Sequence, residues 1–162
     1  MIQNYCTQCG AKLTEKELEK EGIVPFCPKC NEYRFPMFNV ACSMIVINEE
    51  NGKILLIKQY GRPLYILVAG YVNRKEELEE CVRREIKEET GMTVDYIKFN
   101  HSKFYEPSNT LMCNFIVFVK DNSEFNPNEE IDSYAWFTKE EALVNIKKGT
   151  AEYFLKHYLG VE

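Results

Sequence analysis

Gly70 to Met92 reads GYVNRKEELEECVRREIKEETGM, and this stretch decides the fold. At about 100° per residue, Leu78, Cys81, Val82 and Ile86 fall on one apolar arc, with Glu80, Arg83 and Lys87 opposite, as on the solvated face of a helix. Asn73 suits the N-cap, with Glu76 three residues on completing a capping box. Gly91 fits the left-handed position past the C-terminus. Glu85 and Glu89 break the pattern by projecting into the apolar arc, and Glu88 sits at its edge. The i, i+3, i+4 spacing sets the three carboxylates side by side. Clustered carboxylates facing inward repel one another and lose hydration unless cations accompany them. A hard divalent cation with oxygen ligands is the simplest compensation. The residues alone also allow an acidic helix end that turns out to solvent, or ion pairing with Arg62, Arg74 or Arg84.

The same residues resemble the Nudix box, G-x5-E-x7-R-E-U-x-E-E-x-G-U with U apolar. Here it reads Gly70, Glu76, Arg84, Glu85, Ile86, Glu88, Glu89, Gly91 and Met92 with every spacing kept, over 23 of the 162 residues. The resemblance implies an α/β class fold, the Nudix-type α/β/α sandwich. It also implies hydrolysis of a nucleoside diphosphate linked to another moiety, assisted by Mg²⁺ or Mn²⁺. By the same resemblance Glu85, Glu88 and Glu89 are metal ligands, Arg84 orients the site by pairing with carboxylates, and Gly70 opens the loop before the helix. Glu130, in the stretch Glu130-Ile131 ahead of Trp136-Phe137, matches a later metal-binding glutamate of the family. Metal ions would neutralise the diphosphate and lower the pKa of a bound water, whose proton a carboxylate takes.

Upstream, Cys6-Thr7-Gln8-Cys9 and Cys27-Pro28-Lys29-Cys30 are two CxxC turns with seventeen residues between them. Each turn aims two thiolates at one point, and together they supply the tetrahedral sulfur set that zinc prefers. Cys6, Cys9, Cys27 and Cys30 are therefore candidate ligands of a structural Zn²⁺ that folds a module too small for its own core. Cys42, Cys81 and Cys113 lie in apolar segments and read as core residues. Pro36 marks a joint, giving a zinc ribbon over 1–35 and a Nudix domain over 36–162.

A zinc ribbon ahead of the box is similar to the arrangement in the NADH pyrophosphatases, as is Ala69-Gly70-Tyr71 to their Ala-Gly-Phe loop. Their motif S-Q-P-W-P-F-P-x-S, followed by Leu-Met, aligns with Ser102 to Thr110 and then Leu111-Met112. Ser102 and Leu111-Met112 are kept, Tyr105 stands for Trp and Thr110 for Ser, and the prolines and the Phe are out of register. Gly70, Tyr71 and Tyr105 are the candidate substrate-binding residues. This resemblance ranks dinucleotides such as NADH first, ADP-ribose and nucleotide sugars second, and NAD-capped RNA third. It also implies a homodimer. A different class of reading is a binding module whose Nudix domain only senses a ligand.

The rest of the chain is consistent with such a domain. Apolar residues make up 45%, enough for a core, and the formal charge of −5 argues against broad electrostatic binding to nucleic acid or anionic membrane. No apolar run approaches the ~20 residues a membrane span needs. Seven cysteines, four of them in CxxC pairs, read as a reducing, cytoplasmic setting and not a disulfide framework. Strands are expected over Phe38–Ile47, Lys53–Gln59 after an Asn51-Gly52 turn, Leu64–Val68, Thr93–Phe99, Leu111–Lys120 and Tyr134–Phe137. Asp121–Glu130 reads as a polar loop, and helices are expected over Glu140–Lys147 and Tyr153–Tyr158.

Overall fold

The computed structural model describes residues 3–120 and 125–161, which divide into two compact units on either side of the Phe38–Asn39 junction. The first unit is a three-stranded antiparallel sheet of β1 (Thr14–Leu18), β2 (Gly22–Cys27) and β3 (Glu32–Tyr33). Its interior is sparse. Phe26 and Tyr33 meet edge to face at 5.2 Å, and Lys16 lies 4.3 Å over the Phe26 ring. So little apolar burial leaves most of the unit's folding energy to be found elsewhere.

The second unit is built on β4 (Asn39–Asn48), β5 (Ile54–Gln59), β6 (Val68–Tyr71), α1 (Leu78–Thr90), β7 (Tyr96–Tyr105), β8 (Thr110–Val119), β9 (Ile131–Phe137), α2 (Lys139–Asn145) and α3 (Thr150–Leu159). Strand order is β7-β8-β4-β5-β9, with β6 also on β4; β4 and β8 run parallel, and every other pairing is antiparallel. Alternation along β4 feeds two cores. Cys42, Met44 and Val46 point to the α1 side, with Cys81, Val82 and Ile86 of the helix. Ile45 and Ile47 point to the other side, with Ala142, Phe154 and Leu155 of α2 and α3. Helices on both faces of one sheet make the α/β/α sandwich that the box implied.

Three sequence expectations are corrected. First, α1 begins at Leu78 and not after Asn73: Glu77 is its N-cap and Glu80 closes the capping box. The Asn73–Glu76 pair is real but local, with the Asn73 N–H donating to Glu76 at 2.7 Å. Lys75, at φ 67°, then breaks the helical path. Second, Leu64–Val68 is not one strand. Ile66 bridges to Ile57, Tyr65 bridges to Ile146, and only Val68 onward pairs with β4, so three neighbours share this apolar run. Third, β7 continues past Phe99 through a bulge to Tyr105, so most of the Ser102–Thr110 run forms a hairpin tip with β8. Of the expected Asp121–Glu130 loop, residues 121–124 lie outside the described residues; 125–130 carry no helix or strand. Among the described residues no helix is long and apolar enough to cross a membrane.

Candidate active site and metal ligands

Gly91 ends α1 in the left-handed conformation, φ 73°, its N–H donating to the Lys87 carbonyl. This fixes the last turn, from which Glu88 and Glu89 project. Glu89 is buried at 4% exposure and accepts from Gln59 Nε2 at 2.9 Å. Burial, together with the charges of Glu85, Glu130 and Glu88, pushes its carboxyl up to about 8, against the partial help of Gln59. Glu85 is nearly covered, and Glu88 stands in solvent with its side chain 58% exposed. Glu130 accepts from the Tyr60 hydroxyl at 2.6 Å.

Arg84 ties the site to its loop. Nε and Nη2 hold Glu76 in a bidentate pair at 2.6 and 2.9 Å; Nη1 reaches Glu85 at 2.6 Å and Glu88 at 3.1 Å; and Nη2 also reaches the Tyr71 carbonyl at 3.1 Å. The guanidinium and the Asn73 N–H hold the Glu76 carboxyl down at about 2. A cation fixed in this way partly offsets the repulsion among the carboxylates and leaves Glu89 the least compensated of them.

Gly70 faces the Glu85 carboxyl so closely that a Cβ there would overlap its atoms. The glycine is thus required by close approach and not by its backbone angles. Gly70 and Tyr71 also line a cavity of about 560 Å³ with Tyr105, Ser43, Met112 and Phe154, within the range of ligand pockets. Tyr71 and Tyr105 are exposed. The three residues expected to touch substrate are therefore brought together, beside Glu85. His101 packs against α3, 4.2 Å from the His157 ring and 5.6 Å from Tyr153. Lys58 lies 4.5 Å over Tyr65. No local pattern singles out Gln59, Tyr60 or Ser43: Gln59 and Ser43 enter through the pairing of β5 and β4, and Tyr60 through the turn that follows β5.

In the first unit, one sulfur from each of Cys6, Cys9, Cys27 and Cys30 lies within 4.8 Å of the others, a geometry able to hold one metal ion. Arg34 Nε donates to Cys6 Sγ at 3.2 Å. Burial pulls the Cys6 thiol up, but Arg34 and the backbone N–H groups near Cys9 and Gln8 win and hold it at about 6. Cys30, hydrogen-bonded to Cys9 and surrounded by sulfur, is pushed up to about 12. Among the described residues this is the one set of three or more ligand side chains gathered so tightly; the carboxylates of α1 are spread over protein partners.

Comparison with known proteins agrees with this architecture. The chain is 30% identical over 155 residues to the NAD-capped RNA hydrolase NudC of Photobacterium profundum, covering 91% of this chain and 54% of that protein. It is 31% identical to the chloroplastic Nudix hydrolase 19 of Arabidopsis thaliana, covering 93% of this chain and 35% of that one. The chain thus spans about half or less of the length of these relatives. A NUDIX hydrolase structure from Nitrosomonas europaea superposes with a TM-score of 0.68 at 24% identity, over 98% of this chain and 91% of that one. The NUDIX domain model matches residues 37–158, the span that carries the inward carboxylates, Arg84 and the Gly70 loop, and the chain therefore belongs to the Nudix family.

Proposed function

We propose that the protein is a metal-dependent pyrophosphohydrolase that cuts the diphosphate bond of nucleoside diphosphate derivatives, dinucleotides such as NADH among them. One observation carries this reading: Glu85 and Glu89 are turned inward in the company of Glu88 and Glu130, beside a cavity of about 560 Å³ that begins at Gly70. The donor set is all oxygen, and burial makes the Glu89 charge unfavourable until a cation joins it, which fits Mg²⁺ or Mn²⁺. Glu85, Glu88, Glu89 and Glu130 would hold the metal. Once bound, it would screen the diphosphate and acidify a water.

The chain's own groups supply the rest. Arg84 fixes Glu85 and the loop carbonyl of Tyr71 in one frame, which sets the carboxylates relative to the cavity mouth. Glu88, the exposed member, would take a proton from solvent-side water. Tyr71 and Tyr105 offer faces for a planar base. In the first unit, Cys6, Cys9, Cys27 and Cys30 would bind a structural Zn²⁺ within residues 1–35, leaving 36–162 as the catalytic domain. A cytoplasmic, reducing setting is part of this reading, because it would keep the zinc-binding thiolates reduced. NAD-capped RNA is a second substrate reading, favoured by the 30% identity to a protein of that name. ADP-ribose presents the same bond. Hydrolysis of NADH, NAD⁺, ADP-ribose, NAD-capped RNA and a nucleoside triphosphate with Mg²⁺ or Mn²⁺, products identified, tests the assignment. Two mononucleotides from NADH are expected. A hundredfold preference for the triphosphate over every dinucleotide would remove the dinucleotide reading.

A further inference from the structure

On the α3 face of the sheet, the buried polar side chains of Ser43 and Asn114 and the half-buried Asn100 form a line. Ser43 and Asn114 are register partners on β4 and β8, and Asn114 is fully buried with Ser43 4% exposed. Asn114 Nδ2 lies 3.1 Å from the Ser43 carbonyl oxygen and 2.7 Å from Ser43 Oγ. Asn114 Oδ1 lies 2.8 Å from Asn100 Nδ2, which in turn lies 3.0 Å from the Phe154 carbonyl.

The two backbone carbonyls fix the direction of this line. A carbonyl oxygen can only accept, so the amide atom facing Ser43 O and the one facing Phe154 O must both be nitrogens. Asn114 Oδ1 then accepts from Asn100, and both hydrogens of each NH₂ group are used. The second hydrogen of Asn114 goes to Ser43 Oγ, which makes that hydroxyl an acceptor within the line. Its own hydrogen is left to donate elsewhere. The ladders to β6 and β8 engage the backbone on both edges of β4 at this point, and Ser43 lines the cavity. A buried hydroxyl seeks an acceptor, because an unused donor carries a desolvation penalty.

We infer that Ser43 donates a hydrogen bond from the cavity floor to an acceptor atom on the base of the nucleotide substrate, and so helps to determine specificity. The inference rests on the pyrophosphohydrolase reading above. Lys147 and Lys148 contribute to the lining of this cavity, and Leu67, Met112 and Phe154 give it apolar walls, with Tyr71 and Tyr105 among them. Such walls suit a flat heteroaromatic ring better than a sugar phosphate. A ring nitrogen of adenine or the carboxamide oxygen of nicotinamide would each serve as the acceptor. Buried Asn114, backed by Asn100, holds the hydroxyl in place before substrate arrives.

The test compares wild type with Ser43→Ala and Ser43→Cys, the second serving where alanine unsettles the asparagine line, with thermal melts reporting that structural part separately. KM and kcat are measured for NADH and ADP-ribose with Mg²⁺. Both variants should raise KM about five- to tenfold, as loss of one hydrogen bond does, with kcat within about twofold. A rise for NADH alone places the nicotinamide on Ser43, and an equal rise for both substrates places the adenine there; either result supports the inference. An unchanged KM on both substrates, in variants that melt as wild type does, overturns it. Where the wild type turns over neither compound the pyrophosphohydrolase reading fails, and NADH binding, read by its fluorescence, decides separately. Weaker binding by Ser43→Ala then sustains the inference, and equal or absent binding overturns it.

Discussion

In the first unit, the thiols of Cys6, Cys9, Cys27 and Cys30 lie within 4.8 Å of one another, and Arg34 holds the Cys6 thiol down at about 6, so that a thiolate is ready near neutral pH. Around α1, by contrast, Arg84 takes Glu85 and Glu88, Gln59 takes Glu89, Tyr60 takes Glu130 ahead of β9, and the Glu89 carboxyl is pushed up to about 8. One set of candidate ligands lies gathered around a single point. The other set is spread over separate protein partners. Closed sulfur sites belong to resident structural metals, whereas open oxygen sites let a hard cation arrive with its substrate. The contrast teaches that how tightly a protein gathers its anions signals how permanently it expects to hold the cation.

The largest expected effect breaks the sulfur side. One tightly bound Zn²⁺ per chain should survive exhaustive dialysis and be found by elemental analysis. Structural zinc in small modules contributes roughly 10–16 kcal/mol of apparent binding energy. Its removal by a strong chelator should therefore unfold the first unit well before the second, seen as early loss of amide-exchange protection in residues 14–33. Protein with reduced thiols and no zinc would remove the ribbon assignment.

On the oxygen side, Glu88→Gln should lower kcat at saturating Mg²⁺ or Mn²⁺ by about a hundredfold or more, the range for loss of a general base or metal ligand. Because the Glu88 side chain is 58% exposed and packs into no core, the melting temperature should hardly move. Wild-type turnover by this variant would refute its role.

The smallest effect sharpens the difference in protonation. The folded carboxyl of Glu89 is raised from 4.5 to about 8, so between those values the folded state binds the extra proton. For this acid the sign is that stability falls as pH rises from about 4.5 through about 8, by up to a few kcal/mol. In buffer without divalent cations, urea midpoints should decline over this window in wild type and flatten in Glu89→Gln. Mg²⁺ should restore most of the loss at pH 8, since it binds the deprotonated form. A midpoint that rises with pH in wild type and in the variant alike would sink this account.

What could be read from the chain itself was local. The CxxC turns, the inward phase of Glu85 and Glu89, the Gly91 stop and the hairpin at Asn51-Gly52 all follow from periodicities and turn chemistry spanning a few residues. The two-faced sandwich was legible through the resemblance of the box. The start of α1 was misplaced because two capping boxes overlap, Asn73 with Glu76 and Glu77 with Glu80, and propensity cannot rank them. The tie of Glu76 to Arg84, eight residues on, belongs to the loop and favours the second.

Other features were decided only by tertiary structure, since each joins residues that strand pairing or packing brings together from far apart in sequence. Gln59 meets Glu89 across 30 positions, Tyr60 meets Glu130 across 70, and Asn114 meets Ser43 across 71. A hydrogen bond depends on distance and angle to within tenths of an ångström, and no short-range pattern encodes that placement. The sequence by itself determined which residues are charged, which turn and which face inward; the packed sheet decided which partner each buried polar group would find, because burial makes an unpaired one costly.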